Sequence, residues 1–252
     1  MLAIERHRRL LDLLQHSGSL RTAEAARSLG VTEETVRRDF EKLEVEGVLL
    51  RSHGGAVKLE SSRQEVSAEE RAHQNIRAKH AIGLAASKRI VAGQTILFDA
   101  STTAKKVAEL LPDLPLTAIT SGLQTALVLA QKPSIQTILL GGNLRVSSLS
   151  CTGWSAEQAL DGIRIDTAYL SCRGFDINRG PSEATEEQAR LKNRMVQRAT
   201  EVCLLADASK VGLCSNFFFA QPAEIDLWIT DLAPDETIQS HLKGLGIHLQ
   251  IT

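Results

Sequence analysis

Gly30-Val-Thr-Glu-Glu-Thr-Val-Arg-Arg-Asp-Phe-Glu-Lys-Leu-Glu-Val-Glu46 reads as a helix built to face two surfaces. Thr32 is a good N-cap, and Glu33 and Glu34 fall in the first turn, where the helix dipole favours anions. Val36, Phe40 and Leu43 recur at i, i+4 and i+7 and make one apolar stripe, while Thr35, Arg37 and Arg38 project away from it. Such a helix is held from behind and presents arginines in front. Upstream, Thr22 to Leu29 is a short Ala-rich helix, and Gly30 sits where a left-handed turn lets the chain enter a second helix steeply. This is a helix-turn-helix pattern, although an ordinary corner between two helices would give the same residues.

The flanks favour the first reading. Gly47 can end the helix, and Val48 to Arg51 then reads as a short strand that turns at Ser52-His-Gly-Gly55 and returns through Ala56 to Lys58. A hairpin directly after such a helix is a wing. With Ile4 to His16 as a first amphipathic helix bearing Ile4, Leu10, Leu11 and Leu14, residues 1–58 become a winged helix-turn-helix domain. The run from Ser19 to Asp39, Ser-Leu-Arg-Thr-Ala-Glu-Ala-Ala-Arg-Ser-Leu-Gly-Val-Thr-Glu-Glu-Thr-Val-Arg-Arg-Asp, and the later Arg51-Ser-His-Gly-Gly-Ala-Val57 resemble the DNA-binding domain of the DeoR family of bacterial transcriptional regulators. The resemblance implies double-stranded operator DNA as a partner, met by Arg21, Thr22, Thr32, Thr35, Arg37 and Arg38, with Arg51 and His53 on the wing.

Whole-chain figures bound that expectation. The chain has 252 residues, 43% of them hydrophobic and 23% charged, which suits two globular domains. A formal net charge of -1 and a pI near 6.7 leave only a local basic surface, for which Arg37, Arg38, Arg51 and Lys58 are candidates. So few cations per copy point to a homo-oligomer, a dimer or tetramer, presenting several reading helices. No stretch approaches the ~20 apolar residues of a membrane span, and the N-terminus lacks a signal-peptide core, so no membrane contact and a cytoplasmic location are expected. Cys151, Cys172, Cys203 and Cys214 stand singly, as buried free thiols do, and no histidine shows metal-ligand spacing. Neither a metal nor a cofactor is implied.

Residues 59–74 are polar without apolar period and read as a linker. Residues 75–252 alternate helix and strand signals: strands at 95–99, 116–120, 136–140, 167–171, 202–206, 227–230 and 247–251, with helices near 102–111, 122–131, 184–199 and 235–243. Apolar strands without polar alternation, joined by helices, predict an α/β fold with a mostly parallel, doubly wound sheet. Ligands of such sheets bind beyond the strand carboxyl ends. There the chain places Asp99, Ser101, Thr102 and Thr103, then Thr120, Ser121 and Gly122, then Gly141 and Gly142, and later Arg173, Gly174 and Asp176, with Lys210 beyond them. Each alone is an ordinary cap or turn, but together they converge on one sheet edge.

The order of these loops resembles the C-terminal sensor domain of the same family, related in fold to ribose-5-phosphate isomerase and binding phosphorylated sugars or similar metabolites. Arg71, Lys79, Gly141-Gly142, Gly174, Glu186 and Lys192 belong to the match. By resemblance, residues 99–103 and 120–122 would cradle a phosphate; Asp176, Glu186 and Lys192 would lie near the sugar, with Lys192 and Lys210 as cations and Asp99 and Asp176 as hydroxyl acceptors. Ser101 stands where the family commonly has glycine, and Pro181-Ser182 where it has two threonines. Arg173 adds a bidentate anion contact, or occupies the pocket and blunts sugar binding, or is a surface residue paired with Asp176 or Glu183. The function expected is a transcriptional regulator, usually a repressor in this family, of a sugar or carbohydrate operon, controlled by a sugar phosphate. The alternative is an isomerase-like enzyme with an accessory DNA-binding domain. Isomerisation needs a carboxylate beside a cation, and Glu186 and Lys192, six apart on one helix, do not face each other. The chain is therefore read as no enzyme, its switch carried by the polar stretch near 61–70.

Overall fold

A computed structural model of the chain describes residues 3–45, 49–52, 54–58 and 67–252; the side chains of residues 4, 15, 16 and 58 lie outside that description. The readings of Ile4, Gly47, Val48, His53, the Lys58 side chain and residues 59–66 therefore lie outside the described residues.

The N-terminal half runs α1 (Ala3–Ser17), β1 (Ser19–Arg21), α2 (Thr22–Leu29), α3 (Glu33–Val45), β2 (Leu49–Ser52) and β3 (Gly55–Lys58). Gly30 takes φ 64 and ψ 37, the left-handed cap expected between α2 and α3, and its N–H donates to the Ala26 carbonyl. Val36, Phe40 and Leu43 pack against Leu10, Leu14, Ala25, Leu29 and Leu49. One strand escapes the sequence: β1 pairs with β3 in a sheet ordered β1-β3-β2. A Cβ on Gly55 would lie 2.3 Å from the Leu20 carbonyl oxygen, so only glycine lets β3 pass that close to β1.

The reading helix is also clamped by charge. Buried Asp39 accepts from Arg6 Nε at 2.5 Å and Arg6 Nη2 at 2.9 Å, and lies 2.9 Å from His7 Nε2. Burial by itself would raise the Asp39 pKa, but Arg6 and His7 outweigh it and hold the carboxyl below its usual range. A depressed carboxylate contributes stability that is present above its unfolded value of about 4 and is lost as pH falls through the lower folded value. Acid should therefore loosen α3 from α1. Far-UV circular dichroism under urea should show that pH dependence below about 4, and Asp39→Asn should reduce it; an unchanged slope in the variant would place the acid sensitivity elsewhere.

The C-terminal half contains α4 (Ala68–His73), α5 (Ile76–Ser87), β4 (Thr95–Phe98), α6 (Thr102–Leu110), β5 (Leu116–Thr120), α7 (Leu123–Leu129), β6 (Ile135–Leu139), β7 (Asn143–Arg145), β8 (Ser150–Thr152), α8 (Trp154–Gln158), β9 (Ile165–Leu170), β10 (Gly174–Asp176), β11 (Gly180–Glu183), α9 (Glu186–Arg198), β12 (Ala199–Leu205), β13 (Phe217–Phe218), β14 (Leu227–Thr230), α10 (Glu236–Gly244) and β15 (His248–Ile251). Seven strands form one parallel sheet ordered β15-β14-β12-β9-β4-β5-β6. Ile96 and Phe98 enter one core with Ile82 and Val107, while Leu97 enters the other with Met195 and Trp228. Both faces are covered, which is why the strands lack polar alternation.

From β4 the chain winds outward through β5 and β6; β9, β12, β14 and β15 lie on the other side of β4. The winding reverses between β4 and β9, and ligands of such sheets bind at that point. Two small antiparallel sheets, β7-β8 and β10-β11-β13, were not among the expected strands. The polar connecting stretch also carries structure. Ser67 Oγ accepts from the Glu70 N–H and caps α4, whose Ala68 N–H donates to the Ser147 carbonyl at 2.7 Å. A six-residue helix that buries only Ala68 leaves no apolar period to read.

Candidate functional site

Arg37 and Arg38 lie on the face of α3 opposite its core, their side chains 57% and 73% exposed. They pair with Glu33 and Glu34 at 3.3 and 3.2 Å, one turn away; exposed pairs of this kind contribute about 0.3–0.5 kcal/mol and are readily exchanged for phosphate. Thr32 accepts from the Thr35 N–H at 3.3 Å, and their hydroxyls lie 2.8 Å apart, so this pair closes the first turn of α3. Arg51 on the wing reaches Glu41 at 2.8 Å, and its N–H donates to Glu44. Two expected DNA contacts are placed otherwise. Arg21 pairs with Asp231 of the C-terminal half at 2.8 Å, and Thr22 is buried beneath the wing, its N–H donating to the Gly54 carbonyl. Both sit where β1, paired with β3, enters α2.

At the reversal of the sheet, Asp99 is fully buried and fully engaged. Its Oδ1 accepts from the Ser101 N–H at 2.9 Å; its Oδ2 accepts from the Ser171 N–H at 2.8 Å and from Lys192 Nζ at 2.7 Å. Lys192, reaching in from α9, also donates to Glu183 at 2.5 Å and to the Ser171 carbonyl at 2.6 Å. Burial alone would raise Asp99 and lower Lys192, but the opposite charges win: the carboxyl is held below its usual range and the ammonium above its own. With both oxygens bonded inside the chain, Asp99 is a brace and not the hydroxyl acceptor expected of it.

Glu183 takes the place assigned to Glu186. The latter, in the first turn of α9, lines an outer groove with Glu157, Arg190 and Phe217. The former ends β11, where every residue is buried, and so points inward. A carboxylate does therefore stand beside Lys192, and helical spacing does not exclude isomerase-type chemistry as it does for Glu186. Asp176 is likewise elsewhere: its Oδ1 accepts from the N–H groups of Asn178 and Arg179, closing the β10-β11 turn. Gly174 and Gly142 are packing residues. A Cβ on either would lie 2.4 Å from a carbonyl oxygen, of Leu213 and Thr152 respectively, and Gly141 is exposed beside Gly142.

The other expected loops do meet. Ser101 and Ser121 line a cavity of about 20 Å³ with Arg71, Ser148, Ser150, Glu183 and Lys192. Thr102 and Gly122 line a neighbouring one of about 10 Å³ with Ala68, Lys105 and Leu149. Ser101 Oγ caps α6 by accepting from the Ala104 N–H, Thr103 is buried behind it, and Thr120 Oγ1 accepts from the Gly122 N–H. Leu149 holds φ 50 at this rim, an unusual conformation for a bulky residue that persists only where the surroundings impose it. Ser148 and Ser150 were missed because the β7-β8 hairpin carries no strand period; the serine-rich run at 147–150 was the available signal.

Lys210 donates to Ser171 Oγ at 2.6 Å, and half-buried Arg173 anchors its N–H on the Ser182 carbonyl. Burial lowers the Arg173 pKa against the pull of Glu183, so of its two expected partners Glu183 is the one that acts on it. Lys79 is buried, donates to the Arg71 carbonyl and is brought down to about 7 by burial first, with Lys210 adding to it and Asp207 opposing.

Residues 6–62 match the family model described as the DeoR-like helix-turn-helix domain, and residues 74–232 the one described as the DeoR C terminal sensor domain. YulB, an HTH-type transcriptional regulator of Bacillus subtilis (strain 168), is 40% identical over 235 residues, covering 93% of this chain and 91% of its own. The lactose phosphotransferase system repressor of Streptococcus mutans is 32% identical over 242 residues, 95% of this chain and 96% of its own. Among solved structures, ribose 5-phosphate isomerase A from Methanocaldococcus jannaschii aligns over 53% of each chain with a TM-score of 0.40 and 16% identity.

Proposed function

The chain belongs to the DeoR family of transcriptional regulators, and from that premise we propose that it represses a carbohydrate operon and is released or tightened on its operator by a phosphorylated sugar bound at the β4-β9 reversal. It is a DNA-binding regulator and not an enzyme. The observation that carries the sensing half is the convergence of Ser101, Thr102, Ser121 and Gly122 at the adjoining starts of α6 and α7. Asp99, Ser101 Oγ, Thr120 Oγ1 and the Leu149 carbonyl take the N–H groups of Ser101, Ala104, Gly122 and Leu123, so the first-turn N–H groups of Thr102 and Thr103, at the start of α6, are the donors that suit a phosphate. The name of the Streptococcus mutans relative, a repressor of a lactose system, supports the repressor and carbohydrate parts.

A homo-oligomer is part of this proposal. Net charge of -1 leaves one copy few cations to neutralise phosphates, and Leu144, Val146 and Trp154 stand exposed along the β7-β8 region. Light scattering that finds a monomer binding one half-site tightly would remove it. Among the described residues no helix is long and apolar enough to cross a membrane.

The effector is tested by thermal shift against a panel of sugar phosphates. A ligand at about 100 times its dissociation constant adds about 2.7 kcal/mol, hence a rise of roughly 5–10 °C for a chain of this size. Thr102→Glu, which places a carboxylate where the phosphate would sit, should abolish that rise and the change in operator binding while sparing ligand-free binding. A variant that responds fully would place the pocket elsewhere.

A further inference from the structure

We propose that α4, Ala68–His73, is a plug seated in the mouth of the strand-end site, which it and a phosphorylated sugar occupy in turn; this rests on the effector reading above and adds its mode of regulation. Arg71 lines the larger cavity beside Ser101, Ser121 and Lys192, and Ala68 lines the smaller one beside Thr102 and Gly122. With α4 in place the two spaces measure about 20 and about 10 Å³. That is room for about one water each, whereas small-molecule pockets run to ~300 Å³ and more. A sugar phosphate enters only if a wall moves.

The walls differ in how firmly they are held. The strands β4, β5 and β9 and the helices α6 and α9 are anchored in the two cores through Phe98, Ile119, Tyr169, Val107 and Met195. Only Ala68 of the six α4 residues is buried, and the contacts that hold α4 are polar, among them the charge of Glu70 facing Arg173, the Ala68 N–H on Ser147 and the Arg71 carbonyl, which receives Lys79. That last bond keeps an amine buried among Lys210, Arg71 and Arg173, with Asp207 opposing them, and burial brings it to about 7. Protonating Lys79 in the closed form is therefore costly. Segments with few buried apolar contacts open locally at small fractions of the global free energy.

What lies next to the plug makes its movement felt by the DNA-reading half. Immediately after α4, Asn75 stands in the left-handed region at φ 51, and its side chain donates to Asp207 Oδ1 at 3.1 Å and Ser209 Oγ at 3.0 Å. In the same loop the Ala208 N–H donates to Asp231 at 2.8 Å, and the other oxygen of Asp231 holds Arg21 of the N-terminal half. Between the halves lies a cleft of about 450 Å³, lined by Glu24, Gly54, His73 and Asn75 among others, which leaves room for them to shift. Expelling α4 pulls on the Gln74-Asn75 joint and so on the loop that carries the Arg21 anchor. Ligand and DNA module then bias one two-state element.

Hydrogen exchange followed by mass spectrometry on the full chain tests this with ribose 5-phosphate, glucose 6-phosphate and fructose 6-phosphate as probes. In the free chain the α4 amides should exchange more than ~100-fold faster than those of Ile96 to Phe98, because α4 opens alone. Arg71→Ala should speed α4 exchange further and leave the β4 amides unchanged. The sugar phosphate that slows exchange at residues 102–104 should speed it at residues 68–74. Protection at 102–104 with unchanged or slowed exchange at 68–74 overturns the plug and leaves the effector reading standing. No protection at 102–104 by any probe overturns the effector reading. Free-chain α4 amides that exchange no faster than β4 overturn the plug whatever the sugars do.

Discussion

Replacing Arg37 and Arg38 together by alanine is expected to lower affinity for DNA, selected by the protein from a random pool, by roughly a thousandfold. Each arginine that reads guanine contributes about 1–3 kcal/mol, and one on phosphate contributes a salt-dependent share of similar size, so about 4 kcal/mol is the middle of the range. The effect is separable from folding because these side chains hold nothing up. α3 is fixed by Val36, Phe40 and Leu43 in the core and by Asp39 on Arg6, all on its other face. What the double variant loses within the protein is the surface pairing with Glu33 and Glu34. Its melting should stay within about 1 kcal/mol of the parent. Titrations at two salt concentrations should also show the slope of log affinity against log salt reduced by up to about 2 if both arginines meet phosphate. Unchanged affinity together with an unchanged slope would falsify the assignment of α3 as the reading helix.

The second large effect is on stability. Lys192→Met removes the ammonium that, among the described residues, meets both Asp99 and Glu183, leaving two buried carboxylates facing each other's field. Breaking a buried ion pair from one side costs about 3–5 kcal/mol, and this change strips two partners at once. Urea denaturation should read a loss of at least that size. Adding Glu183→Gln should recover part of it, since the uncompensated charge is what is costly and the methionine itself fills the space. The Asp99 share of the pH response should also reverse, read as the difference between variant and parent at each pH. In the parent, Asp99 is depressed and its contribution is lost in acid; without Lys192, burial is left to raise the Asp99 carboxyl, so its share of the stability is present below about 4 and is lost as pH rises through its folded value. A variant destabilised by less than about 1 kcal/mol would mean that Lys192 is not the brace of the reversal point.

Much of this molecule is local in origin. The stripe Val36, Phe40 and Leu43, the cap at Thr32 and the left-handed Gly30 specify α2, α3 and the turn between them, because helical period and glycine conformation are read within one or two turns of chain. The same holds for the seven sheet strands. Ile96-Leu97-Phe98 sends neighbours into opposite cores, and a strand buried on both faces announces itself as an unbroken apolar run. The loops that would cradle a phosphate follow from those strands, since every residue just past a parallel strand lies at one edge, and Ser101, Thr102, Ser121 and Gly122 do meet there.

The tertiary structure alone decided which charges meet. Asp99 and Lys192 are joined by a sheet order that sets β9 beside β4, and no period in the chain encodes that order. Glu183 and Glu186 are three residues apart and chemically identical; β11 turns one into the reversal point, and the first turn of α9 turns the other to the outside. Arg21 and Thr22 look like contacts of a DNA-binding motif, but the fold pairs Arg21 with Asp231 and buries Thr22 with its N–H on the Gly54 carbonyl. α4 is polar enough to pass for a linker, and only its seat over Ser101 and Thr102 gives it a role. Period and propensity act over a few residues and are written along the chain, whereas the partner of a buried charge is set by strand order and register between segments distant in sequence.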